Sequence, residues 1–142
     1  MSKQSILVTG GAGYIGSHTV RRLCAEGYRV IVLDNLVYGH EAAIIDDVNL
    51  VIGDVDDRDL LMRLFTEYRF VGVIHFAAFA YVGESVTEPL KYYRNNTAKP
   101  LTLLEVMSEF NCTSFVFSST CATYGEPDKL PMTEDQPQRP MS

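Results

Sequence analysis

Thr9-Gly10-Gly11-Ala12-Gly13-Tyr14-Ile15-Gly16 is the stretch that decides the fold of this chain. It follows a short β-rich run, Ile6-Leu7-Val8. It opens a segment, Tyr14 to Glu26, in which Ile15, Val20, Leu23 and Cys24 recur at helical spacing. Gly27 then suits a helix C-cap. Two glycine frames overlap in the loop: Gly11-x-Gly13-x-x-Gly16 and Gly10-x-x-Gly13-x-x-Gly16. In either frame an early glycine permits the tight turn. The middle one lets a pyrophosphate approach the backbone, and the last lets the helix pack close to its strand. The helix N-terminus, with Tyr14 and Ile15 in its first turn, then offers free N–H groups and partial positive charge to an anion. Alone, the pattern also describes a glycine-rich turn without a ligand.

The surroundings favour the ligand. Arg29 to Leu33 reads as a second strand, and Asp34 stands at its end, 18 residues beyond Gly16. A carboxylate there accepts hydrogen bonds from ribose hydroxyls and repels a 2′-phosphate, which predicts NAD over NADP. Asp34, with Asn35 beside it, also reads as an ordinary turn residue. Residues 6–34 are therefore expected to form a dinucleotide-binding βαβ unit.

Outward from that unit the alternation continues. Leu50-Val51-Ile52 reads as strand three, and Asp54 just after it suits either an adenine amino group or a helix cap. Asp57 to Tyr68 places Leu60, Leu61, Leu64 and Phe65 on one helical face, with Asp56 or Asp57 as N-cap. Val71 to Phe76 reads as strand four. It ends in Phe76-Ala77-Ala78, small enough to admit a cofactor or simply to pack closely. Glu88 to Phe110 reads as one long helical region that Pro100 bends or interrupts. Ser114 to Phe117 reads as strand five, and Gly125 to Ser142, with four of the six prolines, as irregular structure.

The strands are nearly continuous apolar runs, the mark of parallel strands buried on both faces. The expected fold is α/β: a Rossmann-like, doubly wound parallel sheet, truncated after about five strands, with residues 1–142 forming one incomplete domain. The 142 residues carry 12 Lys+Arg against 18 Asp+Glu, a net charge of −6, which argues against a nucleic-acid partner. No apolar run reaches 18 residues, so no membrane span is expected. Three scattered cysteines and the lack of a signal-peptide pattern suit the cytoplasm. They suggest no metal site.

The chain resembles the extended short-chain dehydrogenase/reductases, and among them the UDP-sugar 4-epimerases. TGGAGYIGSH (9–18), LDNL (33–36), GDVDD (53–57), HFAA (75–78), VGESVTEPLKYYRNN (82–96) and FSSTCATYGEP (117–127) carry the likeness. In such enzymes NAD takes a hydride from C4 of a UDP-sugar and returns it to the opposite face. The resemblance implies Thr120 as the catalytic hydroxyl; by itself Thr120 reads more readily as a loop hydroxyl capping nearby backbone. It implies Tyr14 and Ile15 at the pyrophosphate, Asp34 and Asn35 at the ribose, and Asp54 and Val55 at the adenine. Asn96 and Ser118 fall near the nicotinamide. It also implies a homodimer for the full-length protein. Two departures stand out. Ala80 replaces a lysine common in UDP-galactose epimerases, and the Tyr-x-x-x-Lys pair of such enzymes would fall after Ser142, which suggests an N-terminal portion without a complete active site. A nucleotide-sugar 4,6-dehydratase is a rival reading, weakened by Cys121-Ala122 where dehydratases carry Asp-Glu. A non-catalytic dinucleotide-binding module is the other.

Overall fold

The computed structural model describes residues 3–141. Five parallel strands form one sheet in the order β3-β2-β1-β4-β5: β1 (Ser5–Thr9), β2 (Arg29–Asp34), β3 (Asn49–Ile52), β4 (Gly72–His75) and β5 (Phe115–Phe117). The order reverses between β1 and β4. The chain leaves β1 toward β2 on one side and returns to β4 on the other, which opens a crevice at the carboxyl ends of these two strands.

Three helices cover the sheet. α1 (Tyr14–Ala25) lies on one face, where Val20 packs with Val8, Val30 and Val32. α2 (Arg58–Tyr68) and α5 (Lys99–Glu109) lie on the other, where Leu61, Leu64, Phe65, Leu103 and Val106 meet Leu7, Ile31, Leu33 and Val73. Phe65 anchors that second core, with its ring 5.0 Å from Phe70 and 5.5 Å from Phe110. Adjacent residues of each central strand therefore serve opposite cores, which is why the strands read as unbroken apolar runs. The edge strands differ from the expectation of two buried faces. Asn49 and Ile52 of β3, and Val116 and Phe117 of β5, are exposed, because each edge strand has one neighbour and less helix cover.

The helix ends follow local chemistry. The Asp57 carboxylate accepts from the Leu60 N–H at 2.9 Å, which makes Asp57 the cap of α2. Past α1, the Gly27 N–H donates to the Cys24 carbonyl and the Tyr28 N–H to Leu23, the paired bonds of a Schellman ending. The long helical region starts at Pro89, one residue later than expected, and Pro100 does not interrupt it. α4 (Pro89–Tyr93) runs through a single π turn (Arg94–Ala98) into α5. Pro100 has no N–H for the ladder, and the widened turn just before it keeps the helix continuous, with the Lys99 N–H reaching back to Arg94. A short helix, α3 (Val82–Thr87), precedes α4 and was not foreseen. Residues 126–141 hold no helix or strand. No helix among the described residues is long and apolar enough to cross a membrane.

Candidate functional site

The glycine loop closes the crevice from one side. Gly10 has φ +70, and its N–H donates to the Leu33 carbonyl at 2.9 Å, tying the turn to β2. A Cβ on Gly10 would stand 2.5 Å from the Ala77 nitrogen, so the turn and the β4 exit touch backbone to backbone. A Cβ on Gly16 would stand 2.2 Å from the Gly10 carbonyl oxygen, so α1 sits directly on the turn. Gly13 is the N-cap of α1 and brings no capping side chain, while Tyr14 and Ile15 beside it are 84% and 60% exposed. The first-turn N–H groups of α1 thus have no side-chain cap from Gly13, an arrangement suited to an anion.

Asp34 is 7% exposed. One carboxylate oxygen accepts from the Ala12 N–H and the other from the Leu36 N–H, both at 2.9 Å. The turn role and the groove role of Asp34 coexist: the second bond shapes the β2 exit, and the first locks the carboxylate against the glycine loop. Gly39 packs on the same carboxylate, where a Cβ would stand 2.8 Å away.

At the far end of the groove the Asp54 carboxylate joins three elements. Its Oδ2 accepts from Asn35 Nδ2 at 3.1 Å and from Lys99 Nζ at 2.5 Å, and its Oδ1 from the Val55 N–H at 2.7 Å. Burial works to raise the Asp54 carboxyl pKa, but the hydrogen bonds from Lys99 and Asn35 outweigh it and hold it below the usual range. Asp54 is not the cap of α2; Asp57 is.

Gly10, Gly13, Asp34, Asn35, Asp54, Val55, Phe76, Ala77 and Ala78 all line one groove along the strand ends. The sequence reading missed Tyr38, Gly39, Gly53, Phe79 and Asn95 in the same lining. Gly53 and Gly39 were visible as small residues flanking the two carboxylates. Tyr38 and Phe79 carried no motif and meet only through the fold, as an edge-to-face pair with centroids 5.4 Å apart.

Six predicted residues stand outside that lining: Tyr14 and Ile15 on the exposed first turn of α1, and Gly16, Asn96, Ser118 and Thr120. Gly16 is buried beneath the turn. Asn96 lies in the π turn with both amide atoms engaged: Oδ1 accepts from the Phe79 N–H and Nδ2 donates to the Phe79 carbonyl, each at 2.9 Å. It clamps the loop after β4, and its neighbour Asn95 faces the groove. The Ser118 N–H donates to the His75 carbonyl as the chain leaves β5. The Thr120 hydroxyl accepts from the Ala122 N–H at 3.1 Å, capping the short 3-10 turn Cys121–Tyr124.

Beside the groove, α3 is fastened to α4. Glu84 accepts from Lys91 Nζ at 2.6 Å and from the Tyr92 hydroxyl at 2.7 Å. Desolvation and the Glu84 carboxylate push the Tyr92 phenol up to about 12. Beneath the crevice Thr9 Oγ1 and His75 Nδ1 lie 2.6 Å apart, both groups buried. Burial lowers the His75 pKa to about 4, so its ring is neutral at pH 7.

A five-stranded parallel sheet with a glycine loop, a helix N-terminus and a strand-end carboxylate around its switch point defines a dinucleotide-binding Rossmann-type protein. Residues 6–142 match the NAD dependent epimerase/dehydratase family, and the chain belongs to that family. It is 50% identical over 136 residues to a UDP-glucose 4-epimerase of Lacticaseibacillus casei, covering 96% of this chain and 41% of that protein. It is 48% identical over 146 residues to a probable UDP-arabinose 4-epimerase of Oryza sativa, covering 96% and 35%. The crystal structure of UDP-glucose 4-epimerase from Brucella ovis in complex with NAD superposes with a TM-score of 0.88 at 46% identity, over 97% of this chain and 42% of that one. The chain thus spans about two fifths of the relatives it matches.

Proposed function

We propose that this chain holds NAD and supplies the cofactor-binding part of a UDP-sugar 4-epimerase. The observation that carries the reading is the buried Asp34 carboxylate bonded to the glycine loop through the Ala12 N–H. It brings the ribose-binding acceptor and the phosphate-binding turn into one rigid unit.

The residues fit the group. The bare backbone at Gly10 and Gly13 and the open N–H groups of Tyr14 and Ile15 receive the pyrophosphate. Asp34 and Asn35 meet the adenosine ribose, and Asp34 disfavours a 2′-phosphate by charge. Asp54 and the Val55 backbone take the adenine edge. Phe76, Ala77 and Ala78 floor the middle of the groove. Asn96 acts through the Phe79 loop, and Ser118 sits at the β5 exit, on the nicotinamide side. When bound, NAD supplies a hydride acceptor and donor for C4 of the sugar. The Thr120 hydroxyl, which accepts one backbone hydrogen bond, keeps its own proton free to donate to the 4-oxygen. The similarity to both UDP-glucose and UDP-arabinose 4-epimerases supports a UDP-sugar as the substrate class.

The homodimer belongs to the same proposal. Leu90 and Tyr93 on α4, and Leu101 and Leu104 on α5, are exposed as two apolar i, i+3 pairs, turned relative to each other by the π turn between them. Exposed apolar pairs along a helical rod suit a second copy of the same rod. The reading is tested by thermal melting with and without NAD, and by assaying the complete protein with UDP-galactose and UDP-arabinose. A melting temperature raised by NAD, with turnover of at least one sugar, supports it. No shift at millimolar NAD counts against it.

A further inference from the structure

Lys99 enters the site from an unexpected direction. It is the residue that follows the π turn, and it belongs to the helix on the far face of the sheet. Its ammonium nevertheless reaches a carboxylate of the groove lining, 2.5 Å from Asp54 Oδ2, and lies 3.5 Å from Asp56 Oδ2. The extra residue of a π turn rotates everything after it by most of a helical step relative to an unbroken α-helix. The irregularity before Pro100 thus fixes the direction in which Lys99 leaves the helix.

The consequence falls on Asp54. A carboxylate can turn about its side-chain bonds and offer either oxygen. Here Oδ2 is held by Lys99 and Asn35, so Oδ1, beside the Val55 N–H, is the oxygen left with a lone pair for a ligand. We propose that Lys99 is a positioning residue that sets base specificity at the adenosine end of the groove, by holding Asp54 as a fixed acceptor for the 6-amino group of a purine. This rests on the dinucleotide reading above and deepens it. An acceptor held in place attracts a 6-amino donor and repels a 6-oxo group. An acceptor free to swing away does both less well. Asn35 alone, a neutral amide at 3.1 Å, is the weaker tether.

The test compares NAD with nicotinamide hypoxanthine dinucleotide, in which oxygen replaces the 6-amino group. Both are titrated calorimetrically into the unaltered protein and into Lys99→Met, Lys99→Arg, Asp54→Asn and the Lys99→Met/Asp54→Asn pair. The unaltered protein is expected to prefer NAD by about tenfold or more, the effect of one charge-assisted hydrogen bond. Lys99→Met lowers that preference about fivefold, Lys99→Arg keeps it, and Lys99→Met has no further effect once Asp54 is Asn. A preference unchanged in Lys99→Met, or a Lys99→Met effect that persists in the Asp54→Asn background, overturns the role of Lys99 while leaving the dinucleotide site standing. Equal weakening of both dinucleotides in Lys99→Met also overturns it, since that is what a purely structural ion pair would do. If the unaltered protein binds both equally, Asp54 does not read the base. If it binds neither, the dinucleotide reading itself fails.

Discussion

Adding one methyl group at Gly16 should separate cofactor binding from folding. A Cβ at this position would lie 2.2 Å from the Gly10 carbonyl oxygen and 2.8 Å from the Gly11 Cα. Ordinary contact begins at 3.4 Å, so α1 and the loop must part by about 1 Å. Both obstacles are backbone, and neither can swing aside. Overpacking of this kind costs roughly 1–3 kcal/mol. Alanine regains up to about 1 kcal/mol over glycine in a helix. The net loss for Gly16→Ala is then about 1 kcal/mol, or roughly 4 °C in Tm. Binding suffers more. The same 1 Å would withdraw the Tyr14 and Ile15 N–H groups from the pyrophosphate position proposed above, and losing one charge-assisted hydrogen bond costs about tenfold in affinity. Calorimetric titration with NAD and a thermal melt read the two effects apart. Gly83→Ala is the control, since its Cβ would meet nothing within 4 Å; it should leave both affinity and stability as they were or raise the latter slightly. An NAD affinity for Gly16→Ala within twofold of the unaltered protein would mean that the loop is not the phosphate site.

Other perturbations address the core, the flank and the rod. His75 has a folded pKa near 4 against an ordinary 6.5, so its contribution is complete above pH 6.5 and is lost as pH falls toward 4; the loss approaches about 3 kcal/mol, and His75→Gln should flatten that part of a stability–pH curve. Glu84→Gln removes the charge facing the Tyr92 hydroxyl, and an NMR titration should find the phenol pKa moved down from about 12, with the part due to burial remaining. Leu101→Glu places a charge on the exposed apolar pair of α5, and sedimentation should then show less self-association than in the unaltered protein.

The fold was legible where one physical requirement dominates a stretch of sequence. The turn at Gly10, the packing of Gly16 against it and the apolar runs of β1 and β2 each admit little else, and the βαβ unit followed from them. The groove was legible where a residue acts through its own strand end, as Asp34, Asp54 and Phe76-Ala77-Ala78 do. What escaped depends on distant partners. Lys99 carries no signal of its own in the sequence, because its link to Asp54 spans 45 residues and depends on the π turn. Asn96 was expected near the nicotinamide, but nothing in RNN marks an amide that spends both of its atoms on Phe79. The exposure of β3 and β5 was hidden for a different reason. Apolar composition records what a strand can bury, while strand order decides which strands lie at the edge.

Whether the unit made by the glycine loop and Asp34 holds NAD is decided by a calorimetric comparison of NAD with NADP. One NAD should bind saturably per chain, at least about tenfold tighter than NADP because the buried Asp34 carboxylate opposes a 2′-phosphate. Equal or tighter binding of NADP, or no binding of either at millimolar concentration, would contradict it.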